Sequence, residues 1–222
     1  MCYSTFSSSS QAKLKKRFGV SYASEPEEVA PKGQLSGFDH PRLPLITSQA
    51  TDQIQYLEWG LIPAWASAEQ AKTLVNQTLN AKTETVFEKP SFRDAILTQR
   101  CLVLVDGFFE WQHVGKQKMK YFIHLQDGEP FALGGIWSVW QDPVLQRPRH
   151  TFSILTTEAN PLMAEIHNVK KRMPLILSRE TEWEWLNVSL PKAHVQSLMI
   201  PFDEHLMKAE MADPKPMQLG LF

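Results

Sequence analysis

Cys2 carries the most distinctive chemistry in the sequence. Removal of the initiator methionine, common before a small second residue, exposes an α-amine and a thiol on adjacent carbons, a 1,2-aminothiol. Their reference pKa values, about 7.7–8.0 and about 8.5, leave useful fractions of both groups nucleophilic near neutrality. With an aldehyde, the amine forms an imine and the thiol closes a five-membered thiazolidine, which resists hydrolysis far better than the imine. Alone, Cys2 also reads as an ordinary residue on a frayed terminus, so its company decides.

That company is drawn from distant segments. Glu110 lies between Phe109 and Trp111, and an acid among aromatics is costly to bury unless it is paired or functional. Strand alternation sends it to the face opposite those rings. If buried, its pKa rises toward neutrality, which suits a group that passes protons; if not, it belongs to the polar face of a half-solvated strand. His167 alone reads as a surface histidine. Lys170, Lys171 and Arg172 beside it form a positive cluster fit for phosphates, or a solvated run of charge. Asn80-Ala-Lys-Thr-Glu-Thr85 and Trp59-Gly-Leu-Ile-Pro-Ala-Trp65 add polar and aromatic residues.

The elements that must position these residues alternate along the chain with short connections. Ser10 caps a helix through about Phe18, with Leu14 and Phe18 on its buried face and Gly19 ending it. Residues 25 to 44 carry four prolines and are expected as an irregular surface excursion. Ile54 to Gly60 reads as a strand, and Ser67 with Gln70 as a capping box for a helix over Ala68 to Val75. Ser91 is expected to cap a helix to Thr98, feeding a strand Cys101 to Val105 that is apolar enough to be buried on both faces. Phe108 to Trp111, Tyr121 to Leu125 and Phe131 to Trp140 follow as an antiparallel meander, turning near Gly115 and at Asp127-Gly128. Lys116, Lys118 and Lys120 alternate, as on an edge strand. Later come a strand Phe152 to Leu155, a short helix from Asn160-Pro161, a strand Leu175 to Leu177 and two helices from about Glu180 and Lys192.

The predicted fold is a single α+β domain on a curved, largely antiparallel, barrel-like sheet with peripheral helices. It covers residues 1–208, with an extended C-terminal tail over 209–222 broken by Asp213-Pro-Lys-Pro216. A length of 222 residues fits one such domain. Lys plus Arg number 23 and Asp plus Glu 24, so a globally basic nucleic-acid binder is excluded and only a local positive patch remains open. No apolar run is long enough for a membrane helix and no secretory signal opens the chain, so no membrane partner and a cytoplasmic address are expected. Two cysteines build no disulfide framework. Neither falls in a metal-binding pattern and the 7 histidines are scattered, so neither metal nor cofactor is expected.

Met1-Cys2, the Trp59–Trp65 and Asn80–Thr85 segments, Gly107-Phe-Phe-Glu-Trp111, and His167 followed by Arg172-Met-Pro174 occur in an order that closely resembles the SOS-response-associated peptidase family, the abasic-site processing proteins. The resemblance runs from Cys2 to about Leu177. It implies a protein, working as a monomer, that captures abasic sites in single-stranded DNA covalently, since the ring-opened sugar is an aldehyde. It assigns Cys2 as nucleophile, Asn80 as the residue orienting the reacting centre, Glu110 as proton shuttle and His167 as the residue assisting the imine and sugar steps. Trp65, Lys82, Thr156 and Arg172 match positions that bind flanking phosphates or stack on bases. The departures are Tyr3-Ser4 in place of the usual Gly-Arg, Lys82 in place of an arginine, and a longer interval from His167 to Arg172.

The last five residues resemble the bacterial sliding-clamp-binding peptide, with Gln218 for a polar rim and Leu219, Leu221 and Phe222 for an apolar pocket; the other reading folds them back onto the domain. Two competing activities remain at this point. One is a cysteine peptidase acting on itself at Met1-Cys2 or on other chains, whereas autoproteolytic or assisted removal of Met1 and lyase chemistry also belong to the abasic-site reading. The other is a non-covalent single-strand binder resting on Trp65 and the basic residues.

Overall fold

The computed structural model describes residues 2–23 and 32–212. Met1, Asp213-Pro-Lys-Pro216 and the peptide Gln218–Phe222 lie outside the described residues.

The strands in chain order are β1 (Ser4–Ser7), β2 (Ser21–Tyr22), β3 (Gly33–Ser36), β4 (Arg42–Thr47), β5 (Ala50–Trp59), β6 (Asn80–Lys82) and β7 (Arg100–Val105). They continue with β8 (Gly107–Val114), β9 (Gln117–Leu125), β10 (Phe131–Asp142), β11 (Arg147–Glu158), β12 (Arg172–Pro174), β13 (Ile176–Leu177) and β14 (Met207–Met211). The helices are α1 (Gln11–Phe18), α2 (Ala68–Gln77), α3 (Ala95–Thr98), α4 (Pro161–Ile166), α5 (Glu182–Leu186) and α6 (Lys192–Ser197). This is an α+β fold dominated by sheet, as expected.

Strands β11, β10, β7, β4 and β5 pair in that order, and β5 returns to β11 to close a five-stranded barrel. The closing pair is parallel, Thr151 with Glu58 and Phe152 with Trp59, so the barrel is mixed rather than wholly antiparallel. Alternation along each strand sorts the core. Leu45, Leu57, Trp59, Val103, Leu133, Phe152 and Ile154 share one apolar cluster, while Ile46, Ile54, Leu102, Leu104, Ala132 and Leu155 join Leu14, Phe18, Trp185 and Val195 of the covering helices in a second. That double burial is why Arg100–Val105 is buried at every position.

A second sheet, in the order β14-β9-β8-β1-β3, packs on the first cluster through Cys2, Leu35, Phe108, Ile123 and Met207. It brings the amino terminus to the barrel. Asp106 fastens the end of β1, its carboxylate accepting from the Ser8 N–H at 2.6 Å, the Ser9 N–H at 2.8 Å and the Ser9 hydroxyl.

Local signals were dependable where the chemistry is local. Ser10 caps α1 and Gly19 ends it at φ 68°, Ser67 and Gln70 complete a capping box, and Asn160 caps α4 through the Met163 N–H. Four expectations change. The stretch 25 to 44 is not an irregular excursion where it is described: β3 and the start of β4 lie in it, because Leu35 and Leu43 are needed in the core. Pro44 is tolerated in β4 because pairing with β7 begins only at Leu45. Ser91 caps no helix. Turns run to Asp94, and α3 is a single turn. The meander breaks at Asp127-Gly128, where the chain leaves β9 of the second sheet for β10 of the barrel. Finally, β14 covers Tyr121–Leu125, so only the lysine-bearing start of β9 remains an edge.

Candidate active site

Cys2 is fully buried and sits just before β1. The register of β1 against β8, Thr5 opposite Phe108 and Phe6 opposite Gly107, carried two residues further, brings Tyr3 level with Glu110. From the barrel side, the Asn80 side-chain Nδ2 donates to the Cys2 carbonyl at 2.9 Å. The Asn80 Oδ1 is buried and accepts no hydrogen bond among the described residues. β6 is held on β11 with Asn80 beside Ile154, which sends Ala81 into the core and leaves Asn80 and Lys82 on the opposite face.

Glu110 is 4% exposed. Burial pushes its pKa from 4.5 up to about 7, against the pull of the positive amino terminus and of the Trp111 N–H. A carboxyl at that value both accepts and releases a proton near neutrality. Burial and the neighbouring Glu110 together push the Cys2 thiol up to about 12, partly offset by the amino terminus and the Ser4 N–H. The thiol is therefore protonated at rest, and a base must take its proton as it reacts.

His167 follows α4 and is half-buried. Its Nδ1 lies 2.8 Å from the Arg172 carbonyl oxygen and 3.3 Å from the Arg172 N–H. A carbonyl cannot donate, so the shorter contact places the proton on Nδ1 and leaves Nε2 as the acceptor. Burial lowers its pKa, and the amino terminus, Lys170 and His113 add to the fall against the Arg172 carbonyl, so the ring is neutral at pH 7. The four residues come from separate segments of the chain; Asn80 bonds the Cys2 carbonyl and the charge of Glu110 bears on the Cys2 thiol.

The remaining expected residues differ in access. Trp65 is 51% exposed and Lys82 is exposed. Arg172 is buried: both its terminal nitrogens bond the Glu84 carboxylate, and Nη2 also donates to the Thr156 carbonyl. Thr156 is fully buried behind it. Sequence reading passed over Glu84, since nothing in the spacing pairs it with a residue so far along the chain. It also passed over Asp106, which looks like a turn residue.

A family model described as SOS response associated peptidase (SRAP) matches residues 1–215. The chain belongs to the SRAP family. Among SRAP relatives, the abasic site processing protein YoqW of Bacillus subtilis (strain 168) is 38% identical over 169 residues, 75% of this chain and 72% of YoqW. The abasic site processing protein HMCES of Gallus gallus is 29% identical over 166 residues, covering 65% of this chain and 48% of that protein. A crystal structure of a protein from Bacteroides thetaiotaomicron superposes with a TM-score of 0.89 at 40% identity, covering 95% of this SRAP chain and 91% of that one. Another from Bordetella bronchiseptica, at 20% identity, shares the fold with a TM-score of 0.83 over 96% of this chain and all of its own. No helix among the described residues is long and apolar enough to cross a membrane.

Proposed function

We propose that this protein processes abasic sites in single-stranded DNA by forming a thiazolidine between its mature Cys2 and the aldehyde of the ring-opened sugar. The observation that carries the reading is the meeting of Cys2 and Asn80 with a carboxyl poised at about 7, where a buried thiol needs a proton acceptor. Relatives named abasic site processing proteins support it.

The chemistry needs Met1 removed, by hydrolysis of the Met1-Cys2 bond. The freed amine attacks the aldehyde carbon to give a carbinolamine, which loses water as an iminium. Cys2 Sγ then attacks the iminium carbon. The carbon–sulfur bond forms as the carbon–nitrogen π pair returns to nitrogen, and the thiol proton passes to Glu110. Asn80 holds the Cys2 carbonyl and so aims the amine. The Nε2 of neutral His167 accepts a proton during carbinolamine and sugar-ring opening steps. Trp65 and Lys82 are the accessible partners for bases and phosphates, and Arg172 with Thr156 backs them from within.

A thiol held at about 12 is a poor resting nucleophile for turnover of other peptide chains, which favours single capture over a general peptidase. The C-terminal Gln218–Phe222 is proposed as a ligand for the replication clamp, raising the effective concentration near single-stranded template. Deleting it should abolish co-elution with the clamp.

The test of the main reading is incubation with single-stranded DNA carrying one abasic site, followed by a denaturing gel and intact mass. A shifted band of the mass expected for loss of water, absent in Cys2→Ala, is the expected result. Absence of that band with wild type, or its persistence in Cys2→Ala, overturns it.

A further inference from the structure

The loop Asn168–Lys171, between His167 and Arg172, takes no part in the chemistry above. All four residues are exposed, Val169 at 63%. They are nevertheless firmly held. Asn168 Oδ1 accepts from the His113 N–H at 3.1 Å and its Nδ2 donates to the His113 carbonyl at 2.8 Å, so one side chain satisfies both backbone groups of a β8 residue. One residue earlier on β8, Gln112 Nε2 donates to the Glu165 carbonyl at 3.2 Å. The loop closes with Lys171 N–H to the His167 carbonyl at 2.8 Å, and Lys171 adopts a left-handed φ of 47°. That conformation is disfavoured for a long side chain and persists only where surrounding bonds impose it. The strand it is fastened to is the one bearing Glu110.

Its charge is unspent. Lys13, Lys72 and Lys208 have carboxylate partners, whereas Lys170 and Lys171 have none among the described residues. Lys170 stands three residues beyond His167, in the loop that the Lys171 N–H closes on the His167 carbonyl. Arg172, the nearest guanidinium in sequence, is already taken by Glu84. A chain of net charge −1 needs a local positive element to hold a phosphodiester strand.

We propose that this loop is a phosphate-binding element, in which Lys170 neutralises a backbone phosphate of the single strand beside the captured sugar and Asn168 positions the loop against β8. The proposal rests on the single-strand DNA reading but not on adduct formation.

The experiment is fluorescence anisotropy of the full chain on an undamaged single-stranded oligonucleotide across a salt series, with crosslinking to abasic DNA measured in parallel. Lys170→Ala should weaken binding several-fold and reduce the slope of log K against log salt by about 0.7, one single-strand phosphate contact. Lys170→Arg should restore both. Asn168→Ala should show the same affinity loss and the same fall in slope, because the loop loses both bonds to the His113 backbone. Binding and slope of Lys170→Ala equal to those of the surface control Lys13→Ala would overturn the proposal, as would weaker binding with an unchanged slope. A wild type that binds with this salt dependence yet forms no adduct would sink the thiazolidine reading and leave the loop assignment standing.

Discussion

The Asn80 side-chain amide donates to the Cys2 carbonyl at 2.9 Å and so joins the first residues of the chain to the barrel, 78 positions away. Cys2 lies before the first strand, where no ladder holds it; this bond holds its carbonyl, and the Ser4 N–H bonds its thiol. Asn80→Asp replaces the donor by a second acceptor facing a carbonyl. Crosslinking should slow by about tenfold or more, equivalent to about 1.4 kcal/mol, with the circular dichroism spectrum unchanged. An Asn80→Asp protein that crosslinks at the wild-type rate would remove Asn80 from the mechanism.

Glu110 predicts two pH dependences. As a proton acceptor it works when ionised, so the crosslinking rate should rise with pH through about 7, and Glu110→Gln should lose that limb while keeping the one due to the amine. For stability the sign is opposite. With a folded pKa of about 7 against an ordinary 4.5, the folded state keeps a proton that the unfolded chain has released, so stability falls as pH rises across that window. The loss is of order 3 kcal/mol, and urea titrations of wild type against Glu110→Gln at pH 5 and pH 7.5 should show it in the difference.

Glu84 restrains Arg172. Partial burial alone would raise the Glu84 pKa, but the Arg172 hydrogen bonds, its own backbone N–H and the charges of Arg172 and Lys82 together outweigh it and hold the carboxyl below its ordinary value. That stabilisation is present above the ordinary carboxylate pKa and is lost as pH falls through the lowered one. Glu84→Gln should cost only about 1 kcal/mol, because the Glu84 side chain is 44% exposed and screened. The same change frees Arg172 from its carboxylate, and binding to single-stranded DNA should tighten several-fold. Unchanged affinity would mean that Arg172 serves only to hold Thr156 and Glu84.

Gly107 opens the strand that delivers Glu110. A Cβ there would sit 2.4 Å from the Phe122 ring and 2.7 Å from the Ile123 carbonyl, and backbone cannot yield as a flexible side chain can. Gly107→Ala should lower stability by about 1–3 kcal/mol in thermal or urea melts and reduce crosslinking through misplacement of Glu110. A wild-type melting temperature would show that β8 shifts freely.

Much that depends on a few consecutive residues was written in the sequence, although Ser91, expected as a cap, caps no helix. Ser10, Ser67 and Asn160 cap their helices because a cap needs only a side chain and an N–H two or three residues on. The buried run Arg100–Val105 announces itself by composition, and Glu110 by its aromatic neighbours. Tertiary structure decided the rest. The parallel seam of β5 with β11 that closes the barrel, the crossing of the chain at Asp127-Gly128 to the other sheet, the Asp106 clasp on Ser8 and Ser9 and the Glu84 grip on Arg172 all join residues far apart in the chain. Periodicity and turn chemistry fix which face a residue shows and where the chain bends, but a pairing between distant segments is settled only when the whole core is buried at once, and the pKa of a carboxyl such as Glu110 is set by the surroundings that burial supplies.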